Sequence, residues 1–199
     1  MSADVLATTD DGRFRVRLVR DDHPENPRND DETLVHVITI DTHAGQYHPV
    51  DTDGGPLAEV WERLKWNRWT GVDTFTRYVS IMHGGIVLES SPERGPRSLW
   101  YVTGEEARAI DGGLLTEGYV EAEMQEYEAW ATGDVWGFVV EERVGWTRDD
   151  DPDESMETWE HVDSCFGFYG KPYARSQARE ALRFYAARSA GNVAIQTQV

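Results

Sequence analysis

The stretches Val135-Trp-Gly-Phe-Val-Val-Glu-Glu-Arg143 and Thr158-Trp-Glu-His-Val-Asp-Ser-Cys-Phe166 decide how this chain is read. Both are rich in β-branched and aromatic residues, and they flank the Asp-rich, Pro-containing segment TRDDDPDESME. That arrangement predicts two antiparallel strands around an acidic tip. Elsewhere strand-like and helix-like patterns mix without a regular βαβ rhythm or an internal repeat. The expected class is therefore α+β, a single domain with a mixed, largely antiparallel sheet packed by three or four helices.

Working outward, Phe14, Val16 and Leu18 alternate with Arg13, Arg15 and Arg17, the period of a half-buried strand. The nearly continuous apolar run Leu34-Val-His-Val-Ile-Thr-Ile40 predicts a central strand covered on both faces. Pro56 suits a first helical position, and Leu57, Val60, Trp61 and Leu64 then share one face. The segment 73–82 fits a helix or a strand. Residues 85–89 and 98–102 read as a strand pair, after which Thr103 and Glu106 form a capping box for a short helix. A longer helix is expected from Leu114 to Ala131, with Val120, Met124, Tyr127 and Ala131 on its apolar seam. A last helix from Pro172 to Arg188 buries Ala174, Ala178, Ala181, Leu182 and Tyr185 and exposes Arg175, Arg179 and Arg183. Residues 1–12 are expected to be a flexible N-terminus, 13–188 the folded domain, and 189–199 a frayed tail.

The 199 residues carry 37 Asp and Glu against 19 Lys and Arg, a formal net charge of −18. The imbalance is concentrated: residues 121–163 hold 15 acidic and 2 basic residues, whereas 164–199 hold 5 basic and 1 acidic. Phosphate binding needs a basic surface, so direct nucleic-acid binding is disfavoured. A basic protein partner suits this charge. No apolar run approaches the roughly 18 residues of a membrane span, and the N-terminus lacks the pattern of a secretory signal. With a single Cys165, no internal disulfide and no multi-Cys zinc site can form, so a reducing, cytoplasmic setting is expected.

His36, Asp41, His43, His48 and Asp51 supply metal-ligand types, but their spacing matches no specific metal motif. In an extended strand, His161 and Cys165 stand about 13 Å apart, too far for a nucleophile and its base. Asp163 lies between them on the same face. Ser90 and Ser91 sit in a turn without a helper, Glu141-Glu142 and the Asp149 to Asp151 run read as solvated acids, and no phosphate-binding glycine loop occurs. No catalytic residue, metal or cofactor is therefore expected. The eight Trp residues are expected mostly in the core or at its edge, with one or two exposed members marking a contact surface.

The segments Asp134-Val-Trp-Gly-Phe-Val-Val-Glu141 and Val162-Asp-Ser-Cys-Phe-Gly-Phe-Tyr-Gly170 resemble GDVYGYVVE-like and DSCWGFYG-like strands of an uncharacterised family of bacteriophage and mobile-element proteins. Pro24-Glu-Asn-Pro-Arg28 is similar to the DPxNPR segment of that family, and 86–108 to its strand, serine-proline loop, aromatic strand and helix. The resemblance implies mobile-element context and no mechanism. Combined with the charge, it leads to the expectation of a non-enzymatic phage-type accessory protein. Such a protein would bind and inhibit a basic, nucleic-acid-binding host defence protein, a restriction or CRISPR component, through a DNA-mimic-like surface. The residues expected on that surface are Glu117, Glu121, Glu128, Asp149, Asp150, Asp151, Asp153 and Glu154. The alternatives are an acidic housekeeping domain and a small metal-dependent hydrolase built on the His and Asp residues of 36–51.

Overall fold

A computed structural model describes the backbone of residues 5–29, 33–40, 54–67, 70–90, 97–111, 117–148 and 151–196. Side chains are described over the same ranges except at 110–111, 147–148, 151–155 and 189–196. In chain order the elements are β1 (Val5–Thr8), β2 (Phe14–Arg20), β3 (His36–Thr39), α1 (Ala58–Leu64), α2 (Gly71–His83), β4 (Ile86–Ser90) and β5 (Ser98–Val102). They continue with α3 (Gly104–Asp111), α4 (Glu117–Ala131), β6 (Val135–Arg148), β7 (Asp151–Tyr169) and α5 (Lys171–Gln196). The fold is α+β and its strands pair antiparallel, but they form two sheets, of four and three strands, where one was expected. The chain divides into two compact units, 1–25 with 133–199, and 26–132.

In the first unit the sheet order is β1-β2-β6-β7. Strand alternation puts Phe14, Val16 and Leu18 of β2 beside Phe138 and Val140 of β6, and α5 covers them with Ala174, Ala178 and Leu182. Alanines at this seam let the helix backbone approach the sheet, while Arg175, Arg179 and Arg183 stay exposed as expected. Two segments differ from expectation. Val5–Thr8, within the stretch expected to be flexible, pairs with β2, and α5 continues past Arg188 to Gln196. The hairpin is also longer than its aromatic cores suggested: β6–β7 pairing continues to Arg148↔Asp151, so most of the expected tip is strand.

On the sheet face away from α5, charge replaces apolar packing. Arg15 and Arg17 both bind the buried Glu141, at 2.6 and 2.9 Å, and the Arg15 guanidinium lies over the Trp159 ring at 4.2 Å. Arg13 pairs with Glu142 at 2.7 Å. Gly137 leaves room for an aromatic neighbour, since a Cβ there would run into the Phe166 ring.

In the second unit the order is β3-β5-β4, with every residue of β5 buried. The apolar run around β3 was expected to mark a central strand; β3 lies at the edge instead. Its faces are nonetheless both covered. Val35 and Val37 join Trp100, Val102, Val120 and Tyr127 on one side, and Ile38 joins Leu57, Trp61, Phe75 and Val79 on the other. An apolar run thus reports the covering of faces and says nothing of how many strands flank it. The ambiguous 73–82 segment is helical, because Phe75 and Val79 repeat at the helical spacing and fill the second of these cores. The Thr103 capping box forms: its hydroxyl and amide both donate to Glu106, and the Glu106 amide donates back to the hydroxyl.

Phe138 is buried and stacks on Phe168 at 5.6 Å, whereas Phe184 is exposed on α5. Phe138→Ala should therefore cost about 3–5 kcal/mol in denaturant titration, the usual range for core truncation, with Phe184→Ala nearly neutral. Equal midpoints for the two variants would reject the packing described.

Candidate interaction surface

Strand β2 has 7 residues and β6 has 14, and the paired register of β2 with β6 ends at Phe14↔Glu142. Beyond it β6 and β7 continue together through Val144↔Thr158, Gly145↔Glu157 and Trp146↔Met156. A two-stranded ribbon therefore leaves the sheet. Trp146 and Met156 face each other across it and are 57% and 72% exposed, although cross-strand pairs of this kind normally earn their place by burial. Arg143 and Glu157 form an ion pair at 3.5 Å on the ribbon. This apolar pair was not picked out from sequence, because counting equally from Pro152, the centre of TRDDDPDESME, would set Trp146 opposite Thr158.

The expected acidic surface is distributed differently from the sequence reading. Asp151, Asp153 and Glu154 lie on β7, with side chains outside the described set, and Asp149 and Asp150 lie outside the described residues. On α4, Glu117 and Glu121 are exposed, but Glu128 is half-buried and accepts a hydrogen bond from the Ser90 hydroxyl of β4. Glu128 therefore does not present itself with Glu117 and Glu121. The reason is helical geometry: Glu128 follows the buried Tyr127 and lies four residues beyond the seam residue Met124, so it borders the seam. Ser90 is thus a partner to a carboxylate rather than a turn residue, and Ser91 lies outside the described residues.

The histidine stretch is represented by His36 alone, since Asp41, His43, His48 and Asp51 lie outside the described residues. The His36 Nε2 is 2.7 Å from Glu106 Oε1, and its ring lies 5.3 Å from the Tyr101 ring. Burial opposes ionisation of Glu106, but hydrogen bonds from Thr103 and His36 outweigh it and hold the carboxyl below the usual range. His36 therefore joins β3 to the capped end of α3. Among the described residues no group of three or more His, Cys, Asp or Glu is placed to hold a metal. His161 meets Ser164 at 3.2 Å, Asp163 accepts a hydrogen bond from Tyr185, and Cys165 is exposed. Among the described residues Trp61 and Trp100 are core, Trp130 and Trp136 pack half-buried against core clusters, Trp159 is half-buried, and Trp66 and Trp146 are exposed; Trp69 lies outside the described residues.

Comparison with protein-family models, curated proteins and solved structures finds no match. No helix among the described residues is long and apolar enough to cross a membrane.

Glu123 is the acidic residue whose role sequence reading missed. It lies three residues after Val120 and four before Tyr127, on the buried seam of α4, and a helical projection would have flagged it. Its carboxylate accepts from the Leu34 and Val35 amides, at 3.1 and 3.4 Å, supplying partners to backbone donors that lead into β3. Burial is the largest influence on this carboxyl and raises its pKa above the ordinary 4.5, against the lowering by those hydrogen bonds. A raised folded-state value means that the charge opposes folding at neutral pH, and that this penalty is relieved as pH falls through the raised value towards 4.5. Glu123→Gln keeps an acceptor oxygen without the charge. Denaturation midpoints across that pH window should be flatter for E123Q than for the parent; an unchanged slope would show that Glu123 does not titrate differently on folding.

Proposed function

We propose that this is a non-enzymatic phage-type accessory protein whose β6–β7 ribbon binds and inhibits a basic, nucleic-acid-binding host defence protein. The observation that carries the reading is the ribbon itself, which leaves the sheet with an exposed Trp146–Met156 pair in a segment of dense acidic charge. Partner recognition commonly places an aromatic anchor among polar groups that steer the approach.

Magnitudes favour the ribbon over α4. Helix α4 has 15 residues, about 21 Å at the helical rise, and five Glu, of which Glu123 and Glu128 are engaged internally. Three carboxylates over that length give roughly one per 7 Å. Between Arg143 and Trp159 the paired strands carry four acidic residues, Asp151, Asp153, Glu154 and Glu157, and at the strand rise of β6 the pairing is about 17 Å long, roughly one acid per 4 Å. Duplex DNA carries about one charge per 1.7 Å, so the ribbon matches only a short, sparse run of phosphate. Charge then serves to attract and orient, and the apolar pair to hold. A bacteriophage or mobile-element origin, the expectation drawn from 134–170, would give such a protein a host-defence target.

The test is affinity capture from host lysate at low and high salt, followed by kinetics with the purified partner. Asp149, Asp150 and Asp151 reversed together to Lys should slow association and flatten its salt dependence, because steering charges act mainly on the on-rate. Trp146→Ala should instead raise the dissociation rate, by an amount equivalent to about 1–2 kcal/mol or more if Trp146 is an anchor. A partner bound equally well by both variants and the parent would remove the ribbon from the interface.

A further inference from the structure

Strand β7 closes one side of the sheet order β1-β2-β6-β7, and among the described residues β6 is the strand that pairs with it. Its other edge is therefore a row of backbone donors and acceptors without a strand partner, which is a template for strand addition. The register with β6 is uninterrupted from Glu141↔His161 to Thr147↔Ser155, between irregularities at Val140/Glu141 and Thr147/Arg148. The stretch 155–161 is consequently a regular strand, about 20 Å long at the strand rise.

Natural edges of this length are usually blunted by Lys, Pro or a bulge. The stretch 155–161 contains none of these: its charged residues are Glu157 and Glu160, both exposed, with His161 at its end. Over the whole of β7 there are six acidic residues, Asp151, Asp153, Glu154, Glu157, Glu160 and Asp163, and no Lys or Arg. An antiparallel second copy of this strand would set like charges near one another, which is destabilising, whereas an extended basic segment would set opposite charges across the same ladder. Alternation gives such a segment two different rows to meet. Glu157, Trp159 and His161 share one face, and Met156, Thr158 and Glu160 share the other.

We propose that the outer edge of β7 over residues 155–161 is a strand-addition site for an extended, Lys- or Arg-bearing segment of a partner protein. Main-chain hydrogen bonds supply the pairing, Glu157 and Glu160 select a basic strand, and Met156 and Trp159 contact its apolar side chains. This rests on the reading of the ribbon as a partner-binding element and specifies how that element engages.

The experiment uses the full isotope-labelled chain and three short synthetic peptides: one alternating Lys and Val, the same peptide with Pro at its central positions, and one alternating Glu and Val. The Lys-Val peptide should shift backbone amide signals in 155–161 and slow their hydrogen exchange, while the Glu-Val peptide has no effect. The Pro-containing peptide keeps the charge but cannot complete a ladder, so its binding should be weaker by about tenfold or more. Glu157→Lys with Glu160→Lys should abolish Lys-Val binding, with a slightly lowered melting midpoint because Arg143 loses its Glu157 partner. Should that double variant fold poorly, Thr158→Lys on the same edge should still weaken binding. Equal binding of the Lys-Val and Pro peptides overturns strand addition and leaves the charge reading of the ribbon standing. Absence of salt-sensitive binding by either basic peptide overturns both. Concentration-dependent protection of these amides without peptide identifies a second copy as the occupant and overturns the basic-segment assignment.

Discussion

One mismatch of length organises the first unit: β6 has 14 residues and pairs with a β2 of 7. A strand can be buried on both faces and hydrogen-bonded on both edges only where it has neighbours, so half of β6 sits in the sheet and half emerges with β7. The inner half carries Phe138 and Val140, locked under α5. The outer half carries Trp146, with nothing described above it. The same strand thus provides the core that stabilises the unit and the ribbon that is offered to a partner, and the stability of the first half is what holds the second in a defined direction. A two-stranded ribbon alone is marginal in water. Anchored in a four-stranded sheet, it is not alone.

Charge is handled in two ways within this unit. Glu141 is only 8% exposed, yet it is bound by Arg15 and Arg17, so its desolvation is offset by two charge-assisted contacts. Removing Glu141 would leave two arginines without their shared partner, the costly direction for such a cluster. Farther along the hairpin the acids outnumber the bases, and among the described side chains Glu157 and Glu160 are turned to solvent. Arg13, just ahead of β2, and Arg15 and Arg17 within it, which look from sequence like a basic strand, are bound by Glu141 and Glu142 of β6.

In the second unit three carboxylates of α3 and α4 are ligands of the protein's own backbone and side chains. Glu106 closes the capping box and meets His36; Glu123 receives two amides ahead of β3; Glu128 receives Ser90. Tyr101 is similarly employed, accepting from the Leu57 amide and donating to the Gly54 carbonyl at 2.6 Å, which ties the start of α1 to the central strand β5. Net charge therefore overstates how much acid is free to bind, because part of it satisfies donors that folding would otherwise strand.

The sequence by itself determined the features set by neighbours along the chain. Period-two alternation identified β2 and its buried face; helical spacing identified the seams of α4 and α5; Thr103 and Glu106, three residues apart, specified a capping box that forms. The antiparallel pairing of β6 with β7 was legible too, because a hairpin joins strands that are consecutive. Only the tertiary structure decided that the strands make two sheets, that β3 lies at an edge, that the hairpin outruns β2, and which remote groups meet Glu123 and Glu128. Each of these depends on which remote segment arrives: Arg15 meets Glu141 from 126 residues away, and Leu34 meets Glu123 from 89. Local periodicity records that a face is covered, but the identity of the cover, and the edge left without one, is fixed by long-range pairing that no short window of sequence contains.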